Sequence, residues 1–320
     1  LDLLKIENDI SLNVVNSYLN VLFANENLGV AKVQSEISKK QIERARAQFE
    51  AGAIPKGNLL NVESTAVSDV QSVVLQENTL NLALLRLAQL LQVSTKDFQV
   101  ASINLDAPSA VLLYNNADDV YAKALTNRPE IEKARLNVEN ANLGVELTKG
   151  SYLPTLSYSL GASTSFFHQF NNLRPGQVNN DFFNSLNERI QYRVGVSLSI
   201  PIFNRFQTKN RVAKSVINKE QSEFALESQK LQLQQEIESA FLDSKAASKT
   251  FEAAQISLTA QKEAFKNAQV SYDYGSMTQF DFDQVRNRLV NAESAMIRAK
   301  YDYVFKTKVL KFYFGESIVD

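Results

Sequence analysis

Apolar side chains recur at steps of three and four residues through most of the chain, which is the pattern of helices that bury one face. The longest run of this kind extends from Phe206 to Tyr274 and contains neither Gly nor Pro. Read as one helix, it would be about 100 Å long at 1.5 Å per residue. Its apolar positions include Val212, Val216, Phe224, Leu231, Ile237, Phe241, Phe251, Ile256 and Phe265. A compact domain has no place for such a helix, so the pattern predicts an elongated helical protein.

Four more helical runs accompany it, at about 1–50, 55–92, 129–150 and 278–314. Gly52 and Gly275 stand where a left-handed residue ends a helix, and Pro55 suits the first turn of the next one. Ser276 and Gln279 have the spacing of a capping box. These signals predict two helical hairpins with sharp turns. The segment 93–128 is mixed, and residues 98–103 within it alternate like a strand.

The two hairpins form an internal repeat. Gly52 and Gly275 are 223 positions apart, and that offset aligns the halves without a gap from Leu1 to about Gln92. Aligned pairs include Leu3 with Leu226, Val14 with Ile237, Ala24 with Ala247, Ala45 with Ala268, Phe49 with Tyr272 and Leu87 with Leu310. A shared turn with a matched apolar register indicates a tandem duplication. We therefore expect the repeat to be truncated at Leu1, which aligns with a position inside a helix, and to be preceded by a further helix, a β-hairpin and half of another helix.

Between the helices, two segments alternate with a period of two. After Pro154, even positions from Leu156 to Phe166 are apolar apart from Thr164 and alternate with Ser and Gly, and the even positions from Tyr192 to Ile200 are apolar and alternate with Arg193, Gly195, Ser197 and Ser199. Strands of about ten residues with one apolar face match transmembrane β-strands, although a half-buried hairpin in a soluble protein has the same period. The absence of a soluble core beside such long helices favours the membrane interpretation. A lone hairpin leaves its edges unpaired in lipid, so several chains must close a barrel.

Composition excludes several classes of function. Lys and Arg total 34 against 35 for Asp and Glu, so the chain lacks the basic excess of a nucleic-acid-binding protein. It has no Cys, no run of about 18 apolar residues and no recognisable signal peptide. No nucleophile elbow, phosphate loop or metal-ligand cluster is present. We therefore expect neither an enzyme nor a protein with a metal or other cofactor.

Several phrases resemble the TolC family of outer-membrane efflux proteins. They are Asn127-Arg128-Pro129-Glu130-Ile131, Ser151-Tyr152-Leu153-Pro154-Thr155-Leu156 and Val196-Ser197-Leu198-Ser199-Ile200-Pro201-Ile202-Phe203-Asn204, together with the turns Phe49-Glu50-Ala51-Gly52 and Tyr272-Asp273-Tyr274-Gly275. The resemblance implies a homotrimer with a β-barrel in the outer membrane and an α-helical tunnel in the periplasm. It further implies a passive exit channel that works with a periplasmic adaptor and an inner-membrane transporter, in efflux or type I secretion of small molecules or proteins. The principal alternative is a periplasmic coiled-coil adaptor or scaffold, which would explain the helices but not the alternating strands.

The expected fold class is therefore mainly α, with long helical hairpins, a membrane β-hairpin and a tandem repeat. We expect a first repeat at 1–128 that includes an equatorial segment at 93–128. The second repeat, 129–320, would hold a helix at 129–150, the hairpin at 154–201, the long helix at 206–274 and the return helix at 278–314.

The resemblance also assigns candidate site residues. The periplasmic tips that would dock on the adaptor are Gly52, Ala53, Ile54 and Pro55 in the first repeat and Gly275, Ser276, Met277 and Thr278 in the second. Asp281 stands where the family carries a constriction aspartate, and its repeat partner Asn58 departs from that pattern. Asp283 belongs to the same first helical turn, where either aspartate equally suits simple complementation of the helix dipole.

Two further gate positions carry alternatives. Tyr272 stands where relatives have a tyrosine that latches the tip, and a plain packing role is equally open. Met277 replaces a basic latch residue of some relatives. His168, the one histidine, lies in the hairpin loop beside several Phe residues and is expected to be a surface residue. The loop aromatics Phe166, Phe167, Phe170, Phe182 and Phe183 suit either an interfacial girdle or packing within the loop.

Overall fold

The computed structural model describes residues 1–96, 98–101, 114, 116–166 and 182–316, apart from the side chain of Ser185. Its helices are α1 (Asp2–Glu50), α2 (Lys56–Leu90), α3 (Ala117–Asn127), α4 (Pro129–Lys149), α5 (Phe182–Glu188), α6 (Gln207–Asp273) and α7 (Gln279–Phe314). Its strands are β1 (Thr155–Ser163) and β2 (Gln191–Ser199). The expectation of long helical hairpins with one β-hairpin is confirmed.

The chain forms two compact units, one of Leu1–Ala134 with Glu227–Asp320 and one of Arg135–Leu226. In the first unit α1 packs on both α2 and α7, and α7 also packs on α6 through Phe251 and Tyr303. The neighbouring helices therefore follow the order α2, α1, α7, α6. The contact of α1 with α7 buries Leu19, Leu22, Ile297, Tyr301 and Val304.

The short helix α3 explains one of the sequence phrases. Its Val120 and Ala124 form a buried cluster with Ile131, Leu233 and Ile237. The intervening Arg128 is itself buried: its guanidinium lies 4.3 Å from the centroid of the Phe312 ring and 2.8 Å from the Glu130 carboxylate. The segment Asn127–Ile131 thus ends α3, begins α4 and packs both against α7.

The two repeats share backbone geometry at their turns. Gly52 and Gly275 have φ of 73° and 74°. At the first turn, N–H groups of residues 51, 52 and 53 donate to the carbonyls of residues 47, 49 and 48, and residues 274, 275 and 276 repeat the pattern with 270, 272 and 271. The burial of Leu87 and Leu310 is also equal. The tandem duplication predicted from the sequence is confirmed.

Some local expectations are wrong. Residues 98–101 are irregular rather than a strand, and residues 102 and 103 lie outside the described residues. The capping box does not involve Ser276, whose hydroxyl donates to the Ser271 carbonyl and so closes α6. Thr278 is the residue that caps α7, because its Oγ1 accepts from the Asp281 N–H. Two short helices, α3 and α5, were not expected at all.

The β-hairpin of the second unit has two different faces. β1 pairs antiparallel with β2 so that Leu156 faces Leu198, Tyr158 faces Val196 and Leu160 faces Val194. The opposite face carries Ser, Thr and Gly with Arg193 and Gln191. Both faces are exposed along nearly the whole hairpin. Among the described residues, no helix combines the length and hydrophobicity needed to cross a membrane.

The link from β2 to α6 contains an unusual backbone. Arg205 and Phe206, two successive residues with side chains, have φ of 53° and 60°. The left-handed region costs a residue with a Cβ roughly 1–2 kcal/mol. Glycine would adopt it without that cost. The turn therefore has Arg and Phe at two positions where the backbone conformation favours glycine.

Candidate functional site

The candidate site is the end of the first unit where α1 meets α2 and α6 meets α7. Residues 52, 53 and 55 are exposed at the first turn, and residues 275, 276 and 278 are exposed at the second. Ile54 tucks against the buried cluster of Ala45, Leu59 and Val62, and Met277 is half-buried. Each tip is therefore a hydrogen-bonded turn that presents a small, mostly exposed surface.

Asp281 lies in the first turn of α7 and is exposed. Its carboxylate accepts a hydrogen bond of 2.7 Å from the Thr278 hydroxyl, and its backbone N–H donates to the same hydroxyl oxygen. The side chain thus contributes to the helix cap while remaining accessible. Asn58, its partner in the first repeat, is also exposed and lies in the first turn of α2.

Asp283 has a different environment, half-buried against its own helix and its neighbours. Its carboxylate accepts from the Gln279 amide at 2.9 Å and lies 3.8 Å from Arg286 Nε. The Tyr272 hydroxyl donates to the side-chain oxygen of the same Gln279. A continuous chain of polar contacts therefore runs from the end of α6 into α7.

Tyr272 is held on both sides. Its ring stacks on Phe282 with centroids 4.7 Å apart, and the Arg44 guanidinium lies 5.5 Å from its centroid. Burial, partly offset by Arg44, raises the pKa of Tyr272, so the phenol is neutral at physiological pH. Arg44 also binds the carboxylate and, at 2.9 Å, the backbone carbonyl of Asp273. One arginine of α1 thus joins the first hairpin to the end of α6.

A buried polar network lies further along the same helices. Arg286 of α7 is 3% exposed, and its Nη1 donates to Ser38 Oγ at 2.7 Å and to Asp69 Oδ2 at 3.0 Å. The Ser38 hydroxyl donates to the same carboxylate oxygen. This network joins α1, α2 and α7 beside a polar cavity of about 100 Å³. A second polar link between α1 and α7 is made by Glu26, which accepts from Lys300 at 3.0 Å and from the Tyr301 hydroxyl at 2.7 Å.

Sequence reasoning missed Arg44 and Arg286. Arg286 falls between Phe282 and Leu289 on the buried stripe of α7, at steps of four and three, so a cation at a core position was the available signal. Arg44 gave no such signal, because it is an ordinary helix-surface residue until the fold brings α6 beside it. Met277 lacks a charge, and Arg44 supplies the cation nearest to Tyr272 from a different helix.

The aromatic residues of the hairpin loop are only partly described. The rings of Phe166 and Phe182 meet edge to face with centroids 5.0 Å apart, and Phe182 meets Phe183 in the same way. His168, Phe167 and Phe170 lie outside the described residues. Within the residues that the structure describes, no group of His, Asp or Glu side chains has the arrangement of a metal site.

Comparison with known proteins agrees with this architecture. The family model described as outer membrane efflux protein matches residues 120–316. The chain is 23% identical over 318 residues to the alkaline protease secretion protein AprF of Pseudomonas aeruginosa, covering 96% of the chain and 61% of that protein. It is 22% identical over 306 residues to the outer membrane protein TolC of Escherichia coli K12, covering 94% and 60%. The chain thus spans about three fifths of the length of these relatives.

A solved structure has the same fold. The Campylobacter jejuni CmeC outer membrane channel superposes with a TM-score of 0.73 at 20% identity, covering 96% of this chain and 62% of that one. The chain belongs to the outer membrane efflux protein family, and the resemblance noted from its sequence is confirmed. Its location is the outer membrane.

The buried network generates a test of stability. Replacing Arg286 with Met leaves the Asp69 carboxylate largely buried without its cation, which costs about 3–5 kcal/mol. We expect that loss in the free energy of unfolding, followed by circular dichroism during denaturant titration in detergent. Adding Asp69→Leu removes the orphaned charge and restores most of the stability.

A matched control is Lys249→Met, which breaks the exposed pair of Lys249 with Glu252 and is expected to have a negligible effect. Equal losses for Arg286→Met and Lys249→Met would show that the buried network carries no special weight.

Proposed function

We propose that the complete protein is a passive exit channel, built as a homotrimer with a β-barrel in the outer membrane and a helical tunnel in the periplasm. It works with a periplasmic adaptor and an inner-membrane transporter, in tripartite efflux or type I secretion. It exports small molecules or proteins, does no catalysis and binds no nucleic acid, and the energy comes from the inner-membrane partner. The two repeats, 1–128 with its equatorial segment 93–128 and 129–320, supply equivalent parts of the wall.

One observation carries this proposal: the two end helices of the row expose apolar stripes. On α2 the stripe consists of Leu60, Val67 and Val74, which are seven residues apart, and of Val70, which lies between the last two. These four side chains are 48–68% exposed. On α6 it consists of Leu231, Leu242, Ile256 and Val270, which are 51–67% exposed. Seven-residue apolar steps are those of helices that pack side by side as coiled coils.

The occupant of these stripes is a second copy of the chain. Of the inner helices, α7 leaves no comparable stripe, since Phe280 is its one large apolar side chain that stands exposed among the described residues, whereas α1 exposes Leu3, Ile6 and Ile10 near its start. A row with apolar edges at both ends closes when α2 of one copy meets α6 of the next. A heterologous contact of this kind generates a ring when the rotation closes. The hairpin, with an apolar face and a small polar face, supports closure of a barrel by the same copies.

The tip segments are the proposed docking surface and gate. Gly52, Ala53, Ile54 and Pro55 with Gly275, Ser276, Met277 and Thr278 meet the adaptor. Tyr272, Asp281, Asp283 and Asn58 line or latch the constriction. Arg44 joins this set because it holds both Tyr272 and Asp273 from the neighbouring hairpin.

Assembly is tested by charge on the stripes. Val67→Glu and Leu242→Glu each place a carboxylate in the proposed contact between copies, where burial of an unpaired charge is costly. We expect either variant to shift the detergent-solubilised full-length protein from trimer to smaller species in analytical ultracentrifugation. Val33→Glu, an equal change at an exposed position of α1, leaves the trimer intact. Trimers that survive both stripe variants would contradict the proposed contact.

Docking is tested at the turns. Gly275 and Gly52 have positive φ, which a β-branched residue strongly disfavours. We expect Gly275→Val, alone or with Gly52→Val, to reduce efflux of a reporter substrate while the amount of protein in the membrane is unchanged. Gly57→Val is the control, because Gly57 lies in α2 without a positive φ. Efflux that persists in the double variant would place docking elsewhere.

The gate is tested by ion selectivity. Three exposed Asp281 side chains around a trimer axis would form an acidic ring, which favours cations. We expect the channel in planar bilayers to be cation-selective and Asp281→Asn to reduce that preference. Asp283→Asn is the matched control, since its carboxylate is engaged by Gln279. The reverse result would place Asp283 in the lumen, and no effect of either change would leave both aspartates as helix-start residues.

A further inference from the structure

The base of the β-hairpin carries a concentrated set of exposed aromatic and apolar side chains. Ile202 is 94% exposed and Phe203 77% exposed, and Phe206 is exposed as well. Tyr152 and Leu153, also exposed, precede β1, whose first residue pairs with the last residue of β2. All five therefore lie at the same end of the hairpin, where the strands give way to α4 and α6.

Unpaired cations follow directly after these residues. Arg205, Lys209, Arg211 and Lys214 are exposed, and none of them forms an ion pair with any residue the structure describes. The chain has no acidic residue from Phe203 to Lys219. Lys209 Nζ lies 6.0 Å from the centroid of the Phe206 ring, so a cation and an aromatic ring share one surface. The charge of this surface fits an anionic partner.

The strained turn indicates that these side chains are needed where they are. Arg205 and Phe206 both occupy the left-handed region, in which glycine alone is free of steric cost. Strained backbone of this kind is concentrated at functional sites, where the surrounding structure holds it in place. The turn therefore points to a role for the Arg205 guanidinium and the Phe206 ring outside the fold itself.

We propose that Arg205, Lys209, Phe203 and Phe206 form an anchor that binds anionic phospholipid headgroups at the periplasmic surface of the outer membrane. This rests on the proposed function, in which the hairpin spans the bilayer. Nine paired residues at about 3.4 Å each span roughly 30 Å, so the base of the hairpin lies where an apolar slab ends. Aromatic rings favour that interface. Basic side chains close to it attract anionic lipid.

The cations lie at different distances from the base of the hairpin. Arg205 lies just before the start of α6 and Lys209 lies in its first turn, whereas Lys214 is about 7.5 Å further along the axis than Lys209 at 1.5 Å per residue. Arg205 and Lys209 are therefore assigned to the headgroups, and Lys214 is the matched control of equal charge.

The test uses the full-length channel in detergent and measures binding of single phosphatidylglycerol and phosphatidylcholine molecules by native mass spectrometry. We expect the wild type to bind phosphatidylglycerol more tightly at low ionic strength. Arg205→Gln and Lys209→Gln each weaken that binding about fivefold, as for one cation near an anionic surface. Binding of phosphatidylcholine is unchanged, and Lys214→Gln behaves as the wild type.

Arg205→Gly separates the lipid role from folding. It removes both the cation and the conformational strain. We therefore expect Arg205→Gly to bind phosphatidylglycerol as weakly as Arg205→Gln does, and to have a melting temperature no lower than that of the wild type. Equal affinity for the two lipids in the wild type, or an unchanged preference in the Arg205→Gln/Lys209→Gln variant, would overturn the proposal.

Two controls accompany this test. One distinguishes lipid headgroups from free phosphate as the bound anion, and the other separates the anchor from the proposed channel function. Inorganic phosphate at the same ionic strength as chloride should not displace phosphatidylglycerol, and displacement would mean a site for free phosphate instead. Conductance in planar bilayers is measured on the same preparation. A conducting channel without lipid preference overturns only the anchor, whereas a preparation that prefers phosphatidylglycerol without conducting supports the anchor and counts against the proposed channel.

Discussion

The packing of α1 against α7 is the contact on which the rest of the first unit depends, because its buried apolar side chains join the first hairpin to the second across the middle of the row. Apolar residues supply its core, and three polar links join the two hairpins: Glu26 with Lys300, Ser38 with Arg286, and Arg44 with Asp273 of α6. The middle link, of Arg286 with Ser38 and Asp69, is buried, while the link at the tip, of Arg44 with Asp273, is more than a third exposed on both sides. A buried charge cannot leave its partner without a large cost, whereas a partly exposed pair in high dielectric contributes little. The body of the contact is therefore firm and its tip is easily released.

This decrease in burial of the polar links, from the middle of the helices to the tip, fits the proposed gate. A latch made of a partly exposed ion pair, a stacked ring and a neutral phenol can be opened by a docking partner that offers a few competing contacts. Salt weakens such a pair, because the Debye length near physiological ionic strength is about 8 Å. The network around Arg286 would meanwhile confine the movement to the last turns of the helices. Opening of the proposed gate at the tip would then require no rearrangement of the helical row as a whole.

The spacing of apolar residues and the positions of Gly and Pro predicted most of this fold, because long helices bounded by Gly52, Pro55 and Gly275 are compatible with few other folds. The repeat succeeded for the same reason: a shared turn fixes the register of everything aligned to it. The errors were local. Ser276 and Thr278 both suit a helix start, and only three-dimensional geometry decides that one closes α6 while the other opens α7. Residues 98–101 alternate in sequence, but no strand pairs with them in the part of the chain that the structure describes. Arg44 became part of the candidate site through a contact between residues 229 positions apart, which no local pattern encodes.

The matching turns at Gly52 and Gly275 have a consequence for stoichiometry. A trimer with two such turns in each chain would present six tips with one backbone shape and two alternating chemistries. The first kind is Ala-Gly-Ala-Ile-Pro and largely apolar, while the second, Tyr-Gly-Ser-Met-Thr, offers hydroxyl groups. A sixfold partner would meet quasi-equivalent sites, while a threefold partner would have to choose one kind. With the tips as the proposed docking surface, substitutions at one kind of tip would alter partner choice while the other kind continued to hold the complex, so the duplicated fold would separate affinity from specificity.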